Sequence, residues 1–490
     1  MCFWNSFIRI LSIAIFFITL CGNVFGLTNT ALVEPIKLGN PTLAQYPVNN
    51  PQYAFARSVW DMHYYNGSIH IASGDLFQNQ GPVDVWAFGT DGIFKKEYTV
   101  DEEQICLFRD YDGKLFIPGS DARESWGYGN LYIEDDSGWK KLRTIPNGIH
   151  VWDVVFFYGK IYVNIESNDG VEVHESCDMG QTWKCVLKRY YSDNIRFLQM
   201  VPMDSFLLIM AIKNEKTLFA YKYADGKVEE LLIPLSGSLS PTNIYHLSRF
   251  KDSILYIACN ASKRQLFFLN DFQNKAMLVK DFQNDDVRDI ITRNDECYIL
   301  VRSSSGQSSK GFIYSSSDLN TWTEIAEFCV PAPPCSFEYM DGFFYVGLGD
   351  CWGSNPNTWS NIESGSIYKI QPNNISSLAG NSHSGKKAPG IITSSMALYQ
   401  NYPSPFNPET WIPYQLDKDV NVIIKIYDQA GRLIRIMDIG NKSAGLYISQ
   451  DKAVYWDGKN DSGEEVASGV YYYNIQAGDF SATKKTVVKK

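Results

Sequence analysis

Tyr65-Asn66-Gly67-Ser68-Ile69-His70-Ile71 sets the pattern on which the fold turns: an aromatic end of one run, an Asn-Gly pair, then an alternating run. Tyr111-Asp112-Gly113-Lys114-Leu115-Phe116-Ile117 repeats it, as does Tyr158-Gly159-Lys160-Ile161-Tyr162-Val163, with Gly67, Gly113 and Gly159 spaced 46 residues apart. Weaker copies start at Met203, Lys251 and Asn294, and a clear one at Asp341-Gly342-Phe343-Phe344-Tyr345-Val346, giving seven. Asn-Gly and Asp-Gly supply the positive φ that a two-residue hairpin turn requires, so each copy reads as a β-hairpin.

Two more strand-like runs follow each hairpin, such as Asp84 to Phe88 and Ile93 to Tyr98, so each unit carries four strands. A lone four-stranded sheet cannot cover both of its faces; repeated units stack radially and bury them on each other. The fold class expected is therefore all-β, a seven-bladed β-propeller over 27–373. Its ring is expected to be closed by a strand from 27–58, with Tyr53 to Ala56 as the strand-like candidate.

The chain has 490 residues and a net charge of −10, which argues against a phosphate-backbone or anionic-membrane partner. Arg9 followed by an apolar run from Ile10 to Leu20 marks 1–26 as a signal peptide with cleavage after Gly26. Lipidation of Cys21 is the competing reading, opposed by Leu20 in front of it. Export leaves eight of the 10 cysteines. Cys177 with Cys185, and Cys329 with Cys335, bracket short turns and are candidate disulfides. No Cys-x-x-Cys occurs, and no later stretch is apolar and long enough to span a bilayer.

Aligning the units places Asp61, Asp153 and Asp289 at one inner-strand position, and Asp75, Asp121, Glu166 and Asp350 just past the second strand. Such acids at a channel mouth suit a Ca2+ ion, paired acid/base chemistry on a glycoside, or the capping of turns. Asp61, Asp75, Asp121, Asp153 and Asp350 are the catalytic candidates. Trp126, Tyr128, Trp152, Trp352 and Trp359 are the ligand-binding candidates, since sugar rings stack on exposed aromatics; packing between units is the alternative for them. His150 stands beside this group.

Ser176-Cys177-Asp178-Met179-Gly180-Gln181-Thr182-Trp183 resembles the Asp-box of bacterial neuraminidase-type (BNR) repeats, which implies a turn between outer strands built by Ser176, Asp178, Gly180, Thr182 and Trp183. A copy at Ser316 to Trp322 is one residue shorter and lacks the Gly. A sialidase would also need clustered arginines; Arg57, Arg109, Arg123, Arg196, Arg288 and Arg302 are present, none in a Phe-Arg-Ile-Pro context.

Residues 374–396 are rich in Asn, Ser, Gly and Lys, a linker composition. Beyond it, Leu398 to Pro408, Ile423 to Asp428 with Ala430-Gly431-Arg432, Trp456-Asp457-Gly458 and Ser468 to Tyr473 resemble the C-terminal sorting module of type IX (Por) secreted proteins, which is similar to the FlgD-like immunoglobulin-like domain. Read from the residues alone, 397–490 is a β-sandwich: Val422, Ile424 and Ile426 alternate, Val470 and Tyr472 alternate again, and Trp456 anchors the core. The resemblance implies an extracellular or cell-surface protein handed to an outer-membrane secretion machinery. With it, the expected function is a binding module for polysaccharide or protein, the alternative being a sialidase-like glycoside hydrolase.

Overall fold

The computed structural model describes residues 32–489 except 51–52, 112, 204, 215–216, 225, 234–242, 252, 261–262, 271–275, 281, 283–284, 294, 304–308, 350–360, 374–395, 400, 402–405, 417, 444 and 448–451. The expected signal peptide, Asp350, Cys351, Trp352, Trp359 and most of the linker lie outside the described residues.

The described part is nearly all β. Each of the seven hairpins contributes the first two strands of a four-stranded antiparallel sheet. The first sheet runs Met62–Tyr65, Ser68–Ile71, Val83–Gly89 and Phe94–Val100; the third runs His150–Phe157, Lys160–Ser167, Gly170–Ser176 and Lys184–Tyr190. Asn66 and Gly67 have φ of 46° and 83°, and Asp341 and Gly342 of 51° and 85°, the paired positive values of a type I′ turn.

Apolar side chains fill the space between successive sheets. Phe55, Trp60 and Val85 meet Phe108, Leu115 and Tyr132 between the first two, and Met62, Ile69 and Phe88 meet Met340, Tyr345 and Ile367 between the first and the last. The seventh sheet thus packs back on the first, and the stack closes into a propeller.

The closing strand differs from the expectation. Tyr53–Ala56 is a four-residue helical turn with Ala54, Phe55 and Ala56 buried. Ile36–Gly39 is the strand that pairs antiparallel with Ile367–Ile370 and completes the last sheet. Leu32–Val33 adds to the sixth sheet, parallel to Thr323–Val330. A four-residue apolar run carries no periodicity long enough to separate strand from helix, which accounts for the difference.

The C-terminal part is an Ig-like sandwich. Leu433–Lys442, Val420–Asp428, Gly469–Ala477 and Phe480–Val488 form its larger sheet. Trp456 is 1% exposed in the core and donates through Nε1 to Lys459 O at 2.9 Å. Val422, Ile424 and Ile426 face inward as expected, but on the partner strand the buried residues are Tyr471, Tyr473 and Ile475 instead of Val470 and Tyr472. The register opposes Ile424 to Ile475 and Ile426 to Tyr473, so the same face must be the buried one. Among the described residues no helix is long and apolar enough to cross a membrane.

Candidate functional site

Because every sheet repeats the same strand order, the starts of the inner strands gather at one end of the central channel, together with the ends of the second strands. The two sets of acids seen in the repeat lie on this wall, with different surroundings.

The inner-strand set clasps neighbouring sheets. Asp61 accepts from Phe108 N, Asp153 from Met200 N and Asp289 from Phe337 N, each at 2.9 Å and each across to the next sheet. Gln199, at the matching position of the fourth unit, accepts from Leu247 N at 2.8 Å. Glu338 closes the series by accepting from Tyr64 N at 2.9 Å across the first–last junction. A register shift in the inner strand accompanies these residues, between Val151 and Asp153 and again between Val287 and Asp289. Such bulges turn a side chain out of the pleat while leaving a neighbouring amide without its ladder partner. Asp153 is fully buried and also holds Arg109 through two hydrogen bonds, 2.9 and 3.2 Å. These carboxylates satisfy buried donors.

The second set sits at the mouth. Asp75 is buried, accepts from Phe77 N at 2.8 Å, and has no partner on Oδ2; burial raises its pKa. Asp121 lies 3.8 Å from His150 Nδ1, and burial raises its pKa too. Between them runs a segment the repeat does not mark. Glu103 O accepts from Asp75 N, and Glu103 N donates to Asp121 O. Burial, then the charge of Asp121, pushes Glu103 up to about 7. Burial likewise lifts Glu102 to about 7, although Asn130, Tyr132 and Asp121 N all donate to it. Both glutamates lie in the connection between units, where a repeat alignment gives no signal. Glu166, on the third sheet, accepts from Tyr191 Oη at 3.0 Å.

Of the aromatic candidates, Trp126 and Tyr128 are 53% and 51% exposed, in the connection to and at the start of Tyr128–Asp135. Trp152 instead lines a channel cavity of about 220 Å³, with its ring stacked on His150 at 4.9 Å and no partner for Nε1. Trp60, Asp61, Phe108, Tyr245 and His246 share that wall. In the same region Asp61, His246 and Asp289 bring ligand atoms within 4.8 Å of one another. This is a mixed nitrogen–oxygen set, short of the six to eight oxygens that Ca2+ takes.

The Asp178 turn forms as its residues imply. Ser176 Oγ accepts from Gly180 N at 2.8 Å, Asp178 accepts from Thr182 N at 2.9 Å and Thr182 Oγ1 at 2.6 Å, and Trp183 Nε1 donates to Gly180 O. The shorter copy builds a similar turn, with Leu319 at φ 64° where the longer one has Gly180.

The candidate disulfides are corrected: Cys177, Cys185 and Cys329 are free, so neither candidate pair is bridged. Cys185 lies opposite His174, three residues short of Cys177, and Cys335 is on the inner edge of the seventh sheet while Cys329 is on the outer strand of the sixth.

Fold and site together define a β-propeller with a polar, aromatic-walled channel mouth, followed by an Ig-like sandwich. Residues 409–480 match the FlgD Ig-like domain family. No curated protein matches the chain. Among solved structures, the chain is similar to PorZ, a surface component of the type-IX secretion system of Porphyromonas gingivalis, at 14% identity and a TM-score of 0.42. That likeness covers 89% of this chain and 60% of PorZ, so the chain spans less than two thirds of its length. A PL25 ulvan lyase matches at 11% identity and a TM-score of 0.41 over 70% of this chain and 96% of the lyase. A GH74 enzyme of Niastella koreensis matches at 12% and 0.39 over 92% and 72%. These are likenesses of fold only.

Proposed function

We propose that this is an exported surface or extracellular protein whose propeller binds a polysaccharide, without turnover, and whose C-terminal sandwich is recognised by a secretion machinery. The observation that carries the binding reading is the composition of the channel mouth. Exposed Trp126 and Tyr128 stand just before and at the start of a strand of the second sheet, and Trp152 walls a cavity near the start of the third. The repeated inner carboxylates are spent on holding sheets together. A ring-sized cavity walled by Trp60, Trp152 and Tyr245 suits recognition of a sugar face, with exposed Trp126 and Tyr128 as further ring faces outside it and acids and amides left to bind hydroxyls. The apolar run after Arg9 supports export, and the FlgD-like match over 409–480 supports a sorting role for the last domain.

The test is a glycan array probed with the full chain, with released sugars quantified from the same wells. Retention of a glycan without release, weakened at least tenfold in the Trp126→Ala/Tyr128→Ala double variant, is the expected result. No retained glycan would refute the sugar reading and leave a protein ligand. One observation favours the enzyme reading: Glu103, near pKa 7 beside Asp121, has the protonation behaviour of a general acid. Sugar release abolished by Glu103→Gln would establish it.

A further inference from the structure

The channel cavity has a charge character opposite to that of the whole chain. The protein carries −10, yet Arg109, Arg196, Arg264 and Arg288 all line the cavity. Arg109 is neutralised by Asp153. Asp61, the acid on the same wall, accepts from Phe108 N and groups with His246 and Asp289. The remaining three arginines come from the fourth, fifth and sixth sheets, near the same mouth.

Asp286, the carboxylate two residues before Arg288 on the same strand, is already engaged twice. Asp286 Oδ2 accepts from Arg302 at 2.8 Å, and Oδ1 accepts from the backbone N of Arg264 at 3.1 Å. Arg288 is left with Asp286 Oδ2 at 3.9 Å from its Nη1 and with no hydrogen-bond partner for Nε. Yet Arg288 is only 3% exposed. Arg264, 5% exposed, lies over the Tyr245 ring at 4.4 Å. Burial first, then repulsion from Arg264 and Arg302, brings Arg288 down to about 9. A buried guanidinium short of a counter-charge is costly. A planar fork of donors facing a cavity is the group that receives carboxylate, sulfate or phosphate in a bidentate manner.

We infer that the Arg196–Arg264–Arg288 wall of the channel cavity is an anion-binding subsite, receiving the carboxylate, sulfate or phosphate of a single acidic group. The volume sets the size. About 220 Å³ is below the roughly 300–1,000 Å³ of pockets for drug-sized ligands, so the cavity takes one substituted sugar ring or a free oxyanion. Trp152 and Asn243 line the same space and supply a ring face and an amide to such a residue. The inference deepens the glycan-binding reading and rests on it only for the source of the anion.

The experiment is calorimetric titration of the full chain, at constant ionic strength, with inorganic sulfate, inorganic phosphate, glucuronate, glucose 6-sulfate and neutral glucose. At least one anion is expected to bind and glucose alone not to. Arg288→Met should weaken binding at least tenfold while raising the thermal midpoint of the unliganded protein, because it removes a buried charge. Should that variant not fold, exposed Arg196→Gln reads the same site, and a loss of threefold or more supports it. No binding of any anion, or an affinity unchanged in the variants, overturns the inference. Tightest binding of free sulfate or phosphate assigns a small oxyanion; tightest binding of glucuronate or the sulfated sugar assigns an acidic glycan. If no anion binds in the titration while the array retains neutral glycans, the glycan reading stands and the anion subsite falls. If anions bind while the array is blank, the reverse holds.

Discussion

A carboxylate at a repeated position has two uses in this chain, set by what lies one unit away. Asp61, Asp153 and Asp289 each accept from a backbone amide on the next sheet, some 47 or 48 residues on. Their register is visible in the sequence; their partner is not, because it lies on the neighbouring sheet and is met only when the sheets pack. Glu102 shows the opposite balance. Its pKa is raised from 4.5 to about 7 by burial, despite three donors. The folded chain therefore holds a proton that the unfolded chain releases, so this contribution is present in full below pH 4.5 and is lost as pH rises through about 7. Glu102→Gln should gain stability relative to the parent across that window, by up to about 3 kcal/mol, read from urea midpoints at pH 4.5 and 8. A difference that stays flat or shrinks with pH would refute the assignment.

Turns and strands were legible to different degrees. Asn-Gly and Asp-Gly pairs located the hairpins because few residues tolerate paired positive φ. The Asp178 turn was legible for a similar reason, since its side chains bond within seven residues of chain. Asp178→Ala removes the acceptor for Thr182 N and Oγ1 and should cost about 1–2 kcal/mol, seen as a lower urea midpoint with an unchanged slope. An unchanged midpoint would mean Ser176 alone holds the turn. Strand phase was harder. Gly469–Ala477 has aromatics at Tyr471, Tyr472 and Tyr473, so alternation alone cannot choose a face, and pairing with Val420–Asp428 chose it.

At the scale of the molecule, the sandwich core draws its residues from Leu398 onward, and the propeller's cores come from residues up to Ile370, joined by a contact between Tyr158 and Tyr399. Separate cores imply separable roles. Removing 397–490 should shift the propeller's thermal midpoint by no more than a few degrees while abolishing surface exposure, measured by protease accessibility on intact cells. Normal exposure of the truncated chain would refute the sorting role; loss of the folded propeller would refute the independence of the cores.

The sequence by itself determined the architecture, since a 46-residue spacing of turn residues and alternating strands leaves a stack of four-stranded units as the way to bury their faces. It also determined the C-terminal sandwich, through Trp456 and the Val422–Ile426 alternation. Tertiary structure alone decided the closing strand, the separation of the two candidate cysteine pairs and the site. Ile36–Gly39 becomes a strand because Ile367–Ile370 offers an open edge. Arg196, Arg264 and Arg288 are scattered in the chain and meet only when three sheets converge on one channel. Local patterns encode local geometry; charges gathered from distant units depend on how the ring closes.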